Sequence, residues 1–322
     1  MSQFKQNDVH PQSEIHQPVM VDEVLTALGC GVFPDNTDSE KVYVDCTLGL
    51  GGHTAAILEA TAPNGRVIGI DRDGLALKMA EKRLAEHEGR FTLRKGTFKE
   101  LLTIVSDLGY TSVDGVLFDF GISSYQLDTA GRGFSFQQPG PLDMRMDSET
   151  GKTAADLVNH LPEKELARLI RVFGEERWAD RIALGIVHFR TENGEIKNTE
   201  ELENIIWRAT PARFRHGRTH PATRTFQALR MVVNDEIEQI EAGLSAAISL
   251  LRQGGRLVVI SFHSLEDRCV KHTFRAFTKK THAQKEQQFI NLYKKPLMAS
   301  PEETAVNRRA RSAKLRALLR AA

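Results

Sequence analysis

Along the N-terminal third of the chain, short apolar runs alternate with segments in which apolar positions recur every three or four residues. The apolar runs predict buried strands at Val42–Cys46, Arg66–Asp71, Phe91–Arg94 and Val113–Phe118. The periodic segments predict helices at Val19–Leu28, Gly52–Ala62, Gly74–His87 and Lys99–Leu108. Strands that alternate with helices and are apolar throughout are typical of a parallel sheet covered on both faces. Residues 1–17 are polar and predict a loose arm.

The alternation stops after residue 120. A stretch over residues 121–151 is rich in Gly, Ser, Pro and Asp, and its length suggests a functional loop. Helical patterns follow at Leu161–Phe173, Glu176–Phe189 and Thr199–Ala209. We therefore predict an inserted, mainly helical substrate-recognition domain over residues 126–216. Residues 1–125 and 217–322 would together form the main domain.

The main domain resumes with one long predicted helix, from Thr223 to about Leu251, and a fifth strand at Arg256–Ser261. A helix at Leu265–Phe277 follows, and two possible edge strands lie at Phe289–Tyr293 and Ser312–Leu319. The predicted fold class is thus α/β: a doubly wound, Rossmann-like and mostly parallel sheet with a small helical domain inserted in it.

Composition narrows the class of protein. The 322 residues carry a formal net charge of +1, so a nucleic-acid surface would have to be a local patch. Cys30, Cys46 and Cys269 lack the spacing of a zinc site or a disulfide frame, which suggests reduced thiols in a cytoplasmic protein without a metal. No apolar run reaches the roughly 18 residues of a membrane span, and no secretory leader is indicated.

A glycine turn after the first predicted strand indicates a nucleoside-cofactor pocket. Gly49 and Gly51 allow close backbone approach, and Asp71 ends the second strand, where a carboxylate can accept from ribose hydroxyls. A dinucleotide turn would carry a third glycine, but Thr54 occupies that position. Asp45 in the first strand would attract the cations of S-adenosylmethionine and repel a pyrophosphate. The turn therefore favours S-adenosylmethionine, although a tight turn without any ligand is the alternative.

Functional side chains are expected just beyond the strand ends, because ligands of doubly wound sheets bind at the carboxyl edge. Asp119 follows the fourth strand and is the candidate catalytic residue. It could hold an N–H of an exocyclic amine and localise the nitrogen lone pair, although an aspartate also caps turns. Phe98 could pack on an adenine face or simply begin a helix. His263 follows the fifth strand and could bind substrate or merely precede a helix start.

Aromatic and basic residues in and around the insertion suggest a nucleic-acid substrate. Tyr125 and Phe134 could stack on an extruded base. A basic cluster that includes Arg218 and Arg224 could contact phosphates, although many such side chains simply face solvent. A second basic cluster lies in the tail: Arg308, Arg309, Arg311, Lys314, Arg316 and Arg320.

The chain also carries longer motifs: His16-x-Pro18-Val19, Gly51-Gly52-His53, Asp71-Arg72-Asp73, Asp119-x-Gly121-x-Ser123-Ser124-x-Gln126-Leu127-Asp128, Arg132-Gly133-Phe134-Ser135-Phe136, and the segments 140–147, 220–230 and 261–268. Together they extend over nearly the whole chain. In this combination the chain resembles the bacterial MraW-type 16S ribosomal RNA (cytosine-N4) methyltransferases.

The resemblance implies methylation, with S-adenosylmethionine, of the exocyclic N4 amine of a cytidine in the decoding region of 16S rRNA in the small ribosomal subunit. It also implies cofactor contacts at Gly51, Gly52, His53, Asp71, Phe98, Asp119 and Gln126. Two residues depart from the family pattern: Tyr125 stands where proline is common, and Arg308 replaces a proline in the tail. The D-P-P-Y signature of DNA amino-methyltransferases is absent, so the catalytic role of Asp119 is an inference.

Two other functions stay open at this point. A nicotinamide-dependent oxidoreductase is disfavoured by Thr54 and Asp45, and a ribosome-assembly factor could retain the pocket without turnover. The sequence also leaves open the oligomeric state, and whether naked rRNA or an assembled small subunit is recognised.

Overall fold

The computed structural model describes residues 18–30, 40–217, 219–279 and 288–321. The predicted arm of residues 1–17 lies outside the described residues. So do His16 of the first motif and Arg218 of the basic cluster.

Eight strands of the described chain form one sheet. Their bounds are β1 (Val42–Asp45), β2 (Arg66–Asp71), β3 (Phe91–Lys95), β4 (Val113–Asp119), β5 (Leu251–Ser261), β6 (Phe289–Asn291), β7 (Leu297–Met298) and β8 (Lys314–Arg320). The order across the sheet is β3-β2-β1-β4-β5-β8-β6, and β7 also pairs with β8. Strands β1 to β5 run parallel, whereas β8 is antiparallel to its partners. The strand order reverses between β1 and β4, which confirms the predicted doubly wound fold class.

Helices cover both faces of the sheet and form the insertion. Their bounds are α1 (Val21–Leu28), α2 (Gly52–Ala60), α3 (Gly74–Arg83), α4 (Leu101–Asp107), α5 (Ser124–Asp128), α6 (Ala154–His160), α7 (Glu163–Gly174), α8 (Ala179–Asn193), α9 (Thr199–Ala209), α10 (Ala222–Val233), α11 (Glu236–Leu250), α12 (Ser264–Thr278) and α13 (Pro301–Val306). Alternate residues of β4 face the two sides: Leu117 joins the core with α1 to α3, and Phe118 joins the core with α4, α11 and α12. None of the described helices has the length and apolar character needed to span a bilayer.

The tail strand β8 is not the edge strand that the sequence suggested. It lies between β5 and β6, and its residues Leu315 and Leu318 are fully buried. Cationic residues between the apolar ones give this strand a polar appearance. One of these cations, Arg316, is neutralised within the fold, because its Nε donates to Asp267 at 2.7 Å.

The single long helix predicted before β5 is instead two helices, α10 and α11, separated at Asn234 and Asp235. Asp235 has a left-handed φ of 50°. The Asn234 side chain donates to the carbonyl of Met144 and accepts from the N–H of Met146, each at 2.8 Å. Such side-chain bonds compete with helix continuation. They join residues about ninety positions apart, so the local periodicity carries no sign of them.

Helices α6 to α10 form a helical unit with its own buried core, which includes Leu166, Ile170 and Leu229. Residues of the preceding loop, among them Phe134 and Met144, pack into the same core. Helix α10 belongs to this core although it lies beyond residue 216. The division of the chain at residues 126 and 216 stays a prediction.

Candidate active site

A cavity of about 320 Å³ opens at the carboxyl ends of the central strands. It lies at the reversal of strand order, where doubly wound proteins bind their ligands, and its volume suits a small molecule. Six of the seven predicted cofactor residues line it: Gly52, His53, Asp71, Phe98, Asp119 and Gln126. The seventh, Gly51, does not belong to the lining.

Glycine shapes the turn between β1 and α2. Gly49 and Gly51 have φ values of 51° and 78°, in the left-handed region that other residues rarely adopt. A Cβ on Gly51 would lie 3.4 Å from Ala80 and Leu84. Gly51 therefore serves the packing of the turn against α3 and its C-terminal end, while Gly49 brings backbone to the cavity wall.

Asp71 ends β2 with its carboxylate at the cavity wall. Oδ2 accepts from the N–H of Gly49 at 2.8 Å, and Oδ1 accepts from the N–H of Asp73 at 2.9 Å. Burial raises the pKa of Asp71 to about 6, because these two hydrogen bonds offset the desolvation only in part. Carboxylate oxygens have further lone pairs that can accept from ribose hydroxyls. The ribose contact itself stays a prediction.

Asp45 lies behind the turn and not in the cavity wall. Its side chain is only 1% exposed; Oδ2 accepts from the hydroxyl of Thr54 at 2.8 Å, and Oδ1 accepts from the N–H of Thr47 at 3.1 Å. The expectation that Asp45 meets the cations of the cofactor directly does not fit this geometry. Instead, Thr54 replaces the third glycine of a dinucleotide turn with a hydroxyl that anchors Asp45 to α2.

Phe98 stands at the cavity within a cluster of three phenylalanines. Its ring centre lies 5.1 Å from that of Phe118 and 6.0 Å from that of Phe120. Gly243 of α11 packs against the same residue, since a Cβ there would lie 2.6 Å from the Cβ of Phe98. The cluster and α11 hold the ring in place, and the predicted packing on an adenine face is compatible with this position.

The partly buried Asp119 and the buried His53 form a pair at the end of β4. Nε2 of His53 lies 3.4 Å from Oδ2 of Asp119. Burial alone would lower the pKa of His53, but the carboxylates of Asp119 and Asp45 outweigh burial and raise it. Among the described residues, Oδ1 of Asp119 is buried and has no hydrogen-bond partner. Because an unmatched buried acceptor costs free energy, this oxygen is suited to a donor on a ligand.

Gln126 and Arg132 fasten the loop after β4 to the end of β2. Nε2 of Gln126 and Nη1 of Arg132 donate to the same carboxylate oxygen of Asp73, at 3.0 and 2.7 Å. Oε1 of Gln126 accepts from the N–H of Ser123 at 3.2 Å and so caps α5. Arg132 also donates to two carbonyls of the loop, at 3.0 and 2.8 Å. This network fixes the predicted functional loop beside the cavity.

A buried ion cluster, which the sequence reasoning missed, forms another part of the cavity wall. Arg230 donates to both carboxylate oxygens of Glu236, at 2.7 and 2.8 Å. Glu266 is fully buried, with Oε1 at 3.8 Å from Nη2 of Arg230 and 2.9 Å from Nε2 of His263. Burial alone would raise the pKa of Glu266, but His263 and Arg230 outweigh it and lower that pKa. Although Glu236, His263 and Glu266 could together approach a metal ion, Arg230 already provides positive charge there.

His263 is turned towards its own helix. It is the N-cap of α12, and its ring accepts from the N–H of Glu266 at 3.4 Å. The neighbouring residues Phe262 and Glu266 line the cavity, whereas His263 does not. The alternative of a residue at a helix start therefore fits His263, and substrate contact stays a prediction.

The other predicted substrate residues lie outside the cavity wall. Phe134 is 6% exposed within the core of the helical unit, which leaves little ring surface for a base. Tyr125 is partly exposed on α5, and Arg224 is exposed on α10, where Nη1 donates to the carbonyl of Glu175 at 3.5 Å. Their contacts with a substrate stay predictions.

The doubly wound sheet, the glycine turn and the carboxylate at the end of β2 define an α/β protein that binds a nucleoside cofactor. Residues 13–321 match the sequence model of the MraW methylase family, and the chain belongs to that family. It is 51% identical over 311 residues to the ribosomal RNA small subunit methyltransferase H of Geobacter sulfurreducens, over 94% of this chain and 97% of that protein. It is 49% identical over 318 residues to the protein of the same name from Pelobacter propionicus, with the same two coverages.

The cofactor of this methylase family is S-adenosylmethionine, and the residues of the cavity fit it. Asp71 offers an acceptor to ribose hydroxyls, and Phe98 offers a ring beside the sheet. The glycine turn permits close approach of backbone, as a ligand of this size requires. The unmatched oxygen of Asp119 stands in the same cavity.

Proposed function

We propose that this protein transfers a methyl group from S-adenosylmethionine to the exocyclic N4 amine of a cytidine in the decoding region of 16S rRNA in the small ribosomal subunit. Support for an rRNA substrate comes from relatives that are about half identical and are named for the small subunit. Since ribosomal subunits assemble in the cytoplasm, we infer that the protein acts there.

The observation that supports an amine as the methyl acceptor is the unmatched oxygen of Asp119. An exocyclic amine carries two N–H donors and a lone pair that is delocalised into its ring. When Oδ1 accepts one N–H, the bond polarises the nitrogen and makes its lone pair more available. A carboxylate oxygen can accept this N–H and can later take its proton, whereas a neutral amide oxygen is a much weaker base.

Residues of this chain accept the proton that the amine loses on methylation. When bound, S-adenosylmethionine would supply a methyl group activated by its sulfonium, and the electron pair of the broken C–S bond would stay on sulfur in the product S-adenosylhomocysteine. Asp119 holds the amine N–H, takes that proton as the nitrogen gains its fourth bond, and leaves the N–H electron pair on nitrogen. Nε2 of His53, whose pKa is raised by the carboxylates of Asp119 and Asp45, lies 3.4 Å from the other oxygen of Asp119.

Mapping of methylated positions in 16S rRNA from a deletion strain, with and without the restored gene, tests substrate and activity together. In vitro, methyl transfer to small subunits and to naked 16S rRNA is compared for wild type, Asp119→Asn and the exposed control Asp107→Asn. We expect Asp119→Asn to lower kcat by about 10²- to 10⁴-fold. The dissociation constant for the cofactor, measured by calorimetry, shows how much of the effect comes from a lost cofactor contact. Asp107→Asn should match wild type.

The outcomes separate the possible functions. Unchanged cytidine methylation in the deletion strain would contradict the proposed substrate. Tight cofactor binding without transfer to either RNA would favour a binding factor that lacks turnover. Normal turnover by Asp119→Ala would remove Asp119 from the mechanism but leave the activity in place. Tight binding of NAD, with none of S-adenosylmethionine, would restore the oxidoreductase alternative.

A further inference from the structure

The C-terminal tail contributes a basic side chain to the cavity wall. Residues Arg308–Ser312 form a short 3₁₀ helix between α13 and β8. Of this turn, Arg309 and Ser312 line the cavity. Ala310 within this turn and Ala313 directly after it are buried in the core, which anchors the turn that carries Arg309.

Arg309 differs from the other arginines of the cavity wall in its partners. Arg230 is paired with Glu236, and Arg72 donates to the carbonyl of Asn234 at 3.0 Å. In the described part of the chain, Nη1 of Arg309 is the one buried guanidinium nitrogen without a hydrogen-bond partner. A buried donor that gives up water without replacing it costs free energy.

The charge of Arg309 is compensated only weakly. Its nearest acid is Asp128, whose Oδ2 lies 3.5 Å from Nη2 and whose side chain is 72% exposed. Exposed pairs of this kind contribute little. Burial lowers the pKa of Arg309, and Asp128 opposes that effect only in part. The cavity wall thus holds a cation that lacks a buried counter-charge.

We propose that Arg309, with Ser312 beside it, forms an oxyanion subsite of the cavity. Guanidinium groups bind carboxylates and phosphates through paired N–H donors. The reaction offers two such groups: the carboxylate of the methionine part of the cofactor, and the phosphate of the target nucleotide. The nucleotide source rests on the proposed function, whereas the cofactor source does not.

The test measures binding by calorimetry, with full-length protein and no turnover. One pair of probes is S-adenosylmethionine and its decarboxylated analogue. The other pair is cytidine 5′-monophosphate and cytidine, each added with S-adenosylhomocysteine present. The variants are Arg309→Gln, Arg309→Lys, which keeps the cation, and Arg311→Gln, a control from the same turn whose side chain is exposed. Thermal unfolding checks that each variant folds.

We expect Arg309→Gln to weaken the binding of one anionic probe about tenfold or more, as loss of a charge-assisted hydrogen bond predicts. The affinity for the counterpart without the oxyanion should stay unchanged. Arg309→Lys should retain part of that affinity, and Arg311→Gln should match wild type. Loss for S-adenosylmethionine alone assigns the subsite to the cofactor; loss for the monophosphate alone assigns it to the nucleotide. The proposal is overturned if Arg309→Gln binds all four probes as wild type does, or weakens both members of a pair equally. Failure of rRNA methylation by a wild type that shows this binding pattern would instead count against the proposed function.

Discussion

Lowering the pH from 7 to 5 tests the role of Asp71 at the end of β2. The pKa of this carboxyl is raised to about 6, and only the ionised form offers acceptors on both oxygens to backbone and ribose together. With that pKa, roughly nine tenths of the protein is ionised at pH 7 and roughly one tenth at pH 5. The dissociation constant for S-adenosylmethionine should therefore rise about tenfold over this interval.

Stability of the ligand-free protein should change in the opposite direction. A folded-state pKa above the unfolded value of about 3.8 means that the folded protein binds this proton more tightly. The contribution of Asp71 to the free energy of unfolding is therefore fully present below about pH 4, and it is lost as the pH rises through about 6. Acid should thus favour folding at this site while it weakens cofactor binding.

Calorimetric titrations at both pH values, at one ionic strength, measure the ratio of the two dissociation constants. The matched variant Asp71→Asn keeps the shape of the side chain but cannot titrate. The amide N–H group of the new side chain would face the backbone N–H of Gly49 or of Asp73, so the variant should bind S-adenosylmethionine more weakly at every pH. The ratio of its dissociation constants at the two pH values should nevertheless lie near one, after correction for other titrating groups. Equal ratios in wild type and variant would refute the reasoning.

Two packing predictions follow from the same region. Gly243→Ala should lower the free energy of unfolding by about 1–3 kcal/mol, because the new Cβ would lie 2.6 Å from the Cβ of Phe98. The same displacement of Phe98 should weaken cofactor binding. An unchanged Tm in thermal unfolding would contradict this prediction. Arg132→Ala should cost about 3 kcal/mol or more in chemical denaturation, because it removes the 2.7 Å contact to the buried carboxylate of Asp73 and two loop hydrogen bonds. A loss below about 0.5 kcal/mol, typical of a surface substitution, would show that the network contributes little.

The parallel half of the sheet could be predicted because its signals are local. A run of apolar residues between glycine-rich turns needs no knowledge of distant partners, and it places β1, β2 and β4 almost where they lie. Asp71 and Asp119 could be found for the same reason, since a side chain just beyond a parallel strand must face the carboxyl edge.

The features that were missed depend on residues far apart in the chain. Glu266 reads as an ordinary acid in the first turn of a helix, and only the fold shows that it is buried near Arg230. Asp45 precedes the glycine turn as a cofactor ligand would, yet the hydroxyl of Thr54 turns it away from the cavity. The break between α10 and α11 likewise depends on the loop that Asn234 binds. Periodicity describes one segment at a time and cannot report such pairings.

The position of β8 has a consequence for biosynthesis. Translation proceeds from the N-terminus, so β5 lacks its neighbour on that side until residues 314–320 have emerged from the ribosome. Until then the nascent chain exposes an unpaired strand edge, which invites aggregation. The turn that carries Arg309 also emerges after β5, so the binding crevice is complete only once residues 308–312 have been synthesised. Premature termination before residue 308 would therefore remove part of the crevice and would also leave one edge of β5 unpaired.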